Sequence, residues 1–300
     1  MRIAVTTPTG KVGSKVADLL LRRGGHDVIL LARNSEKLAA QRELGARIIE
    51  GDLADTQSVV DATVAIDALY FVIPPALTTG VPDDRQFARR LAQNAIDAIS
   101  ANHIPHTVFQ SSVGAHLEHG TGVISSLHDV EVALSQVAEH LTILRPGFFM
   151  ENYLGSLDTI RQQGAVYLPV SAQARVPMVA TRDIAAAAVE VLLEKSPPPR
   201  QIEPLLGPRD YSFGEAAEII GRAIGREVHH IRISGDQARE HLIAHGASPS
   251  VADRMVAMFD AFDRGLMLGE QGRNRQRITP TTLEQFAQEV LAPMLATAAR

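Results

Sequence analysis

Thr7-Pro8-Thr9-Gly10-Lys11-Val12-Gly13, entered from the short apolar run Ile3-Ala4-Val5, decides the fold. The run reads as a strand that stops abruptly and the small residues as a tight turn. Val12, Val16, Leu19 and Leu20 read as the apolar face of the helix that follows. A strand, turn and helix joined this way aim free backbone N–H groups and the positive end of a helix dipole at one point, which suits a pyrophosphate. Gly10 and Gly13 stand where a phosphate must approach the main chain and where the helix must press on the strand. The glycine that usually opens this fingerprint is missing, and Thr7 holds its position. A G-x-x-G turn alone is weak, so the rest of the chain decides.

Short apolar runs at 2–6, 28–31, 47–50, 68–73, 107–110 and 141–144 alternate with helical patterns at 11–23, 35–44, 56–62, 85–101 and 126–138. Short buried strands separated by helices imply an α/β fold, a doubly wound parallel sheet of the Rossmann type, with ligands at the strand C-terminal ends. A strand at 176–179 then leads into an Ala-rich helix at 181–195. Ser196-Pro197-Pro198-Pro199 is the clearest break. Beyond it come a strand near 201–205, a helix at 213–224, a strand at 227–233 and mostly helix. The expected domains are a dinucleotide-binding unit over 1–195 and a smaller α+β lobe over 196–300, with a contribution from 150–175, lying over the sheet edge.

The 300 residues are 45% hydrophobic and 21% charged, with mean hydropathy +0.02, as expected of an ordinary soluble globular protein of one large or two unequal domains. A net charge of -5 argues against a nucleic-acid partner, which needs a basic face. No apolar run approaches the roughly 18 residues of a membrane span. The chain enters a strand without a leader pattern and contains no cysteine, so a cytoplasmic protein without disulfides or zinc-thiolate sites is expected.

Each strand end carries its own chemistry. The second ends Ala32-Arg33-Asn34, about 20 residues after the turn, where an acidic residue would bind a free ribose 2′-hydroxyl. Arg33, with Lys37 one helical turn on, suits a 2′-phosphate instead, which favours NADP(H) over NAD(H). Read without that spacing, the two would be solvated surface cations. The third strand ends Glu50-Gly51-Asp52-Leu53; Asp52 either accepts from an adenine amino group or caps the next helix. Ile73 and Pro74 form a stiff apolar edge, and Ser111 and Ser112 place two hydroxyls at the end of the fifth strand.

These segments resemble the NmrA-like branch of the atypical short-chain dehydrogenases/reductases. The likeness rests on the glycine turn, Ala32-Arg-Asn34, Gly51-Asp52, Ser111-Ser-Val-Gly114, Ile143-Leu-Arg-Pro-Gly-Phe-Phe-Met-Glu-Asn152 and Thr181-Arg-Asp-Ile184, and thins after about residue 235. The resemblance implies a nicotinamide cofactor held by Thr9, Gly10, Lys11, Val12, Gly13, Arg33, Lys37, Asp52, Ile73 and Ser111. It also implies Phe148 and Phe149 near the nicotinamide, and either reduction of quinones, azo dyes or related acceptors or a redox-sensing regulatory role. Thr7, Leu53 and Pro74 complete the expected cofactor set.

One departure bears on mechanism. Typical short-chain dehydrogenases protonate the substrate oxygen with the Tyr of a Tyr-x-x-x-Lys pair. Tyr70, Tyr153, Tyr167 and Tyr211 are followed four residues later by Pro74, Leu157, Ser171 and Glu215. A hydride acceptor stabilised by conjugation needs positioning more than a strong acid, so a small apolar conjugated substrate is expected. His128, Tyr153 and Ser112 are the candidate catalytic residues, although His128 also reads as a half-exposed helix histidine and Tyr153 as a packing residue. A non-catalytic NADP(H) sensor and an isomerase or cyclase are the alternatives. His116, His119, His229 and His230 lack a metal-ligand pattern with carboxylates, and no metal is expected. The loop 115–126 reads as a surface connection or a flap over the nicotinamide. The stripe Met255, Met258, Phe259, Phe262, Leu266 and Met267 within 248–269 reads as core, as a contact between identical subunits, or as the ceiling of a substrate pocket.

Overall fold

The first six strands, β1 (Arg2–Thr6), β2 (Asp27–Ala32), β3 (Arg47–Glu50), β4 (Ala68–Val72), β5 (His106–Gln110) and β6 (His140–Pro146), lie parallel in one sheet of a computed structural model. They alternate with α1 (Gly13–Arg23), α2 (Ala39–Glu43), α3 (Thr56–Ala62), α4 (Asp84–Asn102) and α5 (Ser125–Leu134). The structure describes residues 1–78, 80–268 and 277–297. After β6 come β7 (Phe148–Phe149), α6 (Leu157–Gln163), β8 (Ala165–Leu168), β9 (Arg175–Val179), α7 (Thr181–Leu192), β10 (Arg200–Leu206), β11 (Asp210–Ser212), α8 (Phe213–Ile224) and β12 (His229–Arg232). The chain continues through α9 (Gly235–Ala244), α10 (Pro249–Asp263), β13 (Arg277–Ile278), α11 (Leu283–Phe286) and α12 (Ala292–Thr297).

The main sheet has the order β13-β10-β6-β5-β4-β1-β2-β3, so β1 and β4 meet where the winding reverses. Alternate strand residues feed two cores. Ile3, Val5, Val28, Leu30 and Tyr70 pack against Val16 and Leu20 of α1 and the alanine-rich face of α7. Ala4, Ile29, Leu31, Leu69 and Phe71 pack against α3, α4 and α5. The doubly wound fold expected from the periodicity is the one observed.

The triple proline does not separate two lobes. β10 follows it directly and pairs with β6 from Arg200↔Leu141 to Leu205↔Pro146, so the break at 196 falls between neighbouring strands of one sheet. α7 already ends at Leu192, short of the expected 195 and ahead of the prolines, and the apolar Leu205 and Leu206 beyond them are buried on the sheet. The smaller lobe draws its core from both sides of that point. Phe148, Tyr153, Phe213 and Phe262 form its aromatic centre, with Phe148 edge-on to Phe213 at 5.4 Å and to Phe262 at 5.9 Å. The methionine stripe divides accordingly. Phe262 and Met267 lie in this core, Met258, Phe259 and Leu266 pack on it, and Met255 packs elsewhere; Gly269 lies outside the described residues.

His106 sits buried between β5 and β6, its Nε2 3.1 Å from Thr142 Oγ1, while Nδ1 has no partner among the described residues. Burial, assisted by the charge of His140, pushes its pKa down from 6.5 to about 4. The unfolded chain therefore takes up a proton before the folded one does. The stability this group contributes is present above the unfolded value and is lost as pH falls toward 4, by about 3 kcal/mol in all. Urea unfolding near pH 7 and near pH 4.5 measures that loss. His106→Asn should flatten the slope, and an unchanged slope in the variant would refute the assignment.

Candidate active site

β1 ends at buried Thr6, whose Oγ1 donates to the Tyr70 carbonyl at 3.1 Å and accepts from the Val72 amide at 3.2 Å. This pins β1 to β4 at the topological switch. The chain then turns at Thr7 with φ of 53°, a left-handed conformation that a β-branched residue adopts at a cost of about 1–2 kcal/mol. Thr7 thus makes the turn that a glycine usually makes. Its carbonyl accepts from the Gly10 amide at 2.9 Å. A Cβ on Gly13 would stand 2.3 Å from the same oxygen, so a hydrogen is required there for α1 to lie against the turn.

α1 starts without a side-chain cap and without an acidic residue in its first turn. The Ser14 amide of its first turn donates to the Gly10 carbonyl at 3.1 Å, and the helix start leaves an electropositive pole beside the two glycines. Lys11 stands at the same place, its Nζ 3.4 Å from the Glu151 carbonyl; burial lowers its pKa and the Glu151 carboxylate opposes that shift. That carboxylate in turn accepts from the amide and hydroxyl of Thr181, capping α7. The segment after β7 is thereby tied to the glycine turn on one side and to α7 on the other.

Arg33 and Lys37 are both exposed just beyond β2. Asp52 Oδ1 accepts from the Ala54 amide at 2.9 Å, and the cap of α3 is Asp55, which accepts from Ser58. Asp52 is therefore not that cap. Leu53 is buried, while Ile73 and Pro74 are half-buried at the end of β4.

The serines at the end of β5 differ sharply. Ser111 is buried and donates to Glu131 of α5, whose carboxylate is paired with Arg145 of β6 through both Nε and Nη2. All three are nearly inaccessible, so a buried hydroxyl and a buried ion pair share one carboxylate. Ser112 is half-buried, and its carbonyl accepts from the Ala115 amide at 3.2 Å. His128 has Nδ1 2.9 Å from the Ala115 carbonyl and lines a groove of about 410 Å³ with His116, Val132, Arg145 and Ile202. That groove runs between α5 and strands β6 and β10, on the flank of the sheet.

Tyr153 lies in the aromatic core, 2% exposed, with its hydroxyl 4.0 Å from Met178 Sδ. Burial raises its pKa, so a proton held there is released less readily. The structure thus places this candidate acid inside the lobe; the apolar ring wins over the polar tip because Phe148 and Met178 surround it. Phe148 is likewise spent on the lobe core, and Phe149 stays half-buried. Glu131 has no place in the motifs of the sequence, and Arg145 enters there only as part of the Arg-Pro-Gly segment, without a partner. Their signal was a charged residue on the apolar face formed by Leu127, Val130 and Leu134, and a cation within an apolar strand. Among the described residues no cluster of histidine and carboxylate side chains could hold a metal, and no helix is long and apolar enough to cross a membrane.

Comparison with known proteins places these features in a family. The model of the NmrA-like family matches residues 1–287. The NAD(P)H azoreductase of Xenophilus azovorans is 29% identical over 257 residues, covering 86% of each chain. The structure of an NADPH-dependent quinone oxidoreductase of Escherichia coli complexed with NADPH superposes with a TM-score of 0.80 at 20% identity, covering 99% of this chain and 100% of that one. The Citrobacter sp. triphenylmethane reductase complexed with NADP(H) gives 0.78 at 21% identity, covering 98% and 99%. With the glycine turn, the serine strand and the Arg-Pro-Gly-Phe-Phe segment all inside the matched span, the chain belongs to the NmrA-like family.

Proposed function

We propose that this protein is an NADP(H)-dependent reductase of a flat, conjugated, largely apolar small molecule of the quinone or azo class. The observation that carries this reading is the uncapped start of α1 on a glycine turn at the switch between β1 and β4, with two exposed cations at the end of β2. That donor set fits a dinucleotide: main-chain amides and Lys11 for the pyrophosphate, Arg33 and Lys37 for a 2′-phosphate, and Asp52, with one oxygen free of the Ala54 amide, for the adenine end. The azoreductase and quinone reductase relatives agree with it. A bound nicotinamide supplies hydride.

The chain's own residues bind and orient. The strand order sends the rest of the cofactor across the ends of β4 and β5, past Ile73, Pro74 and Ser112. With Tyr153 enclosed and Ser111 committed to Glu131, Ser112 is the hydroxyl left to steady the acceptor, and His128 reaches solvent through the flank groove. A conjugated acceptor tolerates this sparse set because its own electrons take up the developing charge.

Mixing the protein with NADPH and a panel of quinones and azo dyes, and following loss of the reduced-nicotinamide absorbance, tests the reading. Tight cofactor binding with silence across the panel would favour the regulatory alternative, and turnover without net cofactor oxidation the isomerase or cyclase alternative. Arg33→Ala is expected to weaken NADPH by about 1–3 kcal/mol, roughly five- to 150-fold, and NADH hardly at all. Calorimetric titration with both cofactors checks this, and equal losses would remove Arg33 from the 2′-phosphate.

A further inference from the structure

α10 and the loop that follows the serine strand meet without side chains between them. A Cβ on Gly122 would lie 2.0 Å from the Arg254 carbonyl and 2.5 Å from the Met258 amide, and one on Gly114 would lie 2.5 Å from Met267 Sδ. The backbone of α10 is thus seated directly on Gly122, ten residues past Ser112, while the side chain of Met267, which follows the helix, covers Gly114. On its other side α10 joins α9 in a small apolar cluster, in which Val251, Ala252 and Leu242 pack with Ala76 and Leu77 of the segment leaving β4. One helix pair therefore spans the segments leaving β4 and β5, the half of the sheet edge away from Arg33.

One side chain ties this helix to the sheet domain in three places. Arg254 Nε pairs with Asp84 Oδ1 at 2.6 Å, at the start of α4. Its Nη2 donates to Ser126 Oγ at 2.7 Å and to Ser125 Oγ at 3.3 Å, at the start of α5. Ser126 Oγ donates in turn to Asp84 Oδ2 at 2.6 Å. Asp84, Ser125 and Ser126 are buried, so the carboxylate depends on Arg254 for its counter-charge. Ser248, the cap of α10, adds a bond to the Pro82 carbonyl at 2.8 Å.

We propose that Arg254 is a positioning residue that seats α10 as the ceiling of the acceptor site and thereby sets which flat molecules fit beneath it. This rests on the reading above, in which a dinucleotide crosses the ends of β4 and β5. The apolar face of α10 includes Met255, Met258 and Phe259, all partly buried, and methionine adapts its shape to varied planar ligands. A guanidinium is needed because its planar fork reaches one carboxylate and two hydroxyls at once, which an ammonium does not.

The test compares Arg254→Met and Arg254→Lys with the natural protein, using NADPH and 1,4-naphthoquinone as probes. For Arg254→Met the KM for the quinone should rise at least about tenfold, with NADPH affinity kept within about twofold. Amide hydrogen exchange across 249–263, measured without ligand, should speed at least about tenfold while β1 and β4 are unchanged. Arg254→Lys should recover part of both. Unchanged exchange in α10, or exchange that quickens equally throughout the chain, would overturn the proposal, as would an unchanged KM in an active enzyme. Natural protein that binds NADPH yet never passes hydride to the quinone would overturn it together with the reductase reading. Absence of NADPH binding would overturn the ceiling role together with the cofactor reading, while the exchange of α10 decides separately whether Arg254 seats that helix.

Discussion

Gly13→Ala is expected to weaken NADPH binding at least about a hundredfold. The added methyl would sit 2.3 Å from the Thr7 oxygen, 3.0 Å from the Thr7 carbonyl carbon and 3.4 Å from the Thr6 oxygen, all of them main chain. None can swing aside as a side-chain tip would. The Thr7 carbonyl is held by the Gly10 amide, and Thr6 is bonded to β4 through its hydroxyl. The relief available is for α1 to move away from β1, which withdraws the leading amides from the point where they converge. Overpacking of this kind typically costs about 1–3 kcal/mol of stability as well. Titration calorimetry reads the affinity and urea unfolding the stability. A loss of less than about threefold in affinity would show that the turn does not grip the diphosphate. Gly10→Ala, with 3.2 Å to the same oxygen, should strain the fold less and act mainly on close approach of the ligand.

Arg145→Leu should cost about 3–5 kcal/mol of stability, because it leaves the buried Glu131 carboxylate with the Ser111 hydroxyl but without its counter-charge. For a chain of this size that is a fall of roughly 5–8 °C in Tm. The size of the effect measures the penalty of an uncompensated buried charge and not the net worth of the pair. The combined variant Glu131→Leu with Arg145→Leu should accordingly recover most of the loss, since two apolar side chains replace two charges. If the double variant is as unstable as the single one, the network stabilises the strand end in its own right. Calorimetric melting of the three proteins distinguishes these results.

Local rules carried the reading where a residue's neighbours in the chain determine its surroundings. The glycine turn was legible because strand, turn and helix are consecutive, and the cations after β2 because strand and turn set their distance from it. Asp52 was legible only in outline. The competing cap role belongs to Asp55, three residues on, and both carry the same side chain. Tyr153 shows the limit more clearly. Its sequence context, between Asn152 and Leu154, says nothing of Met178, Phe213 or Phe262, which enclose it from later elements. The proline run misled for a related reason: proline marks where an element ends but not where the next one docks, and β10 docked back onto β6.

The order of strands and helices, the place of the glycine turn and the two cations just beyond β2 follow from the chain itself, because periodicity and short-range spacing are properties of neighbouring residues. Tertiary contact alone decided the rest. It buried Tyr153, joined Ser111 to the ion pair of Glu131 and Arg145, and set α10 on Gly122 through Arg254. Each of those depends on groups more than a dozen residues apart in the chain, and a long-range contact is settled by which surfaces exclude water together.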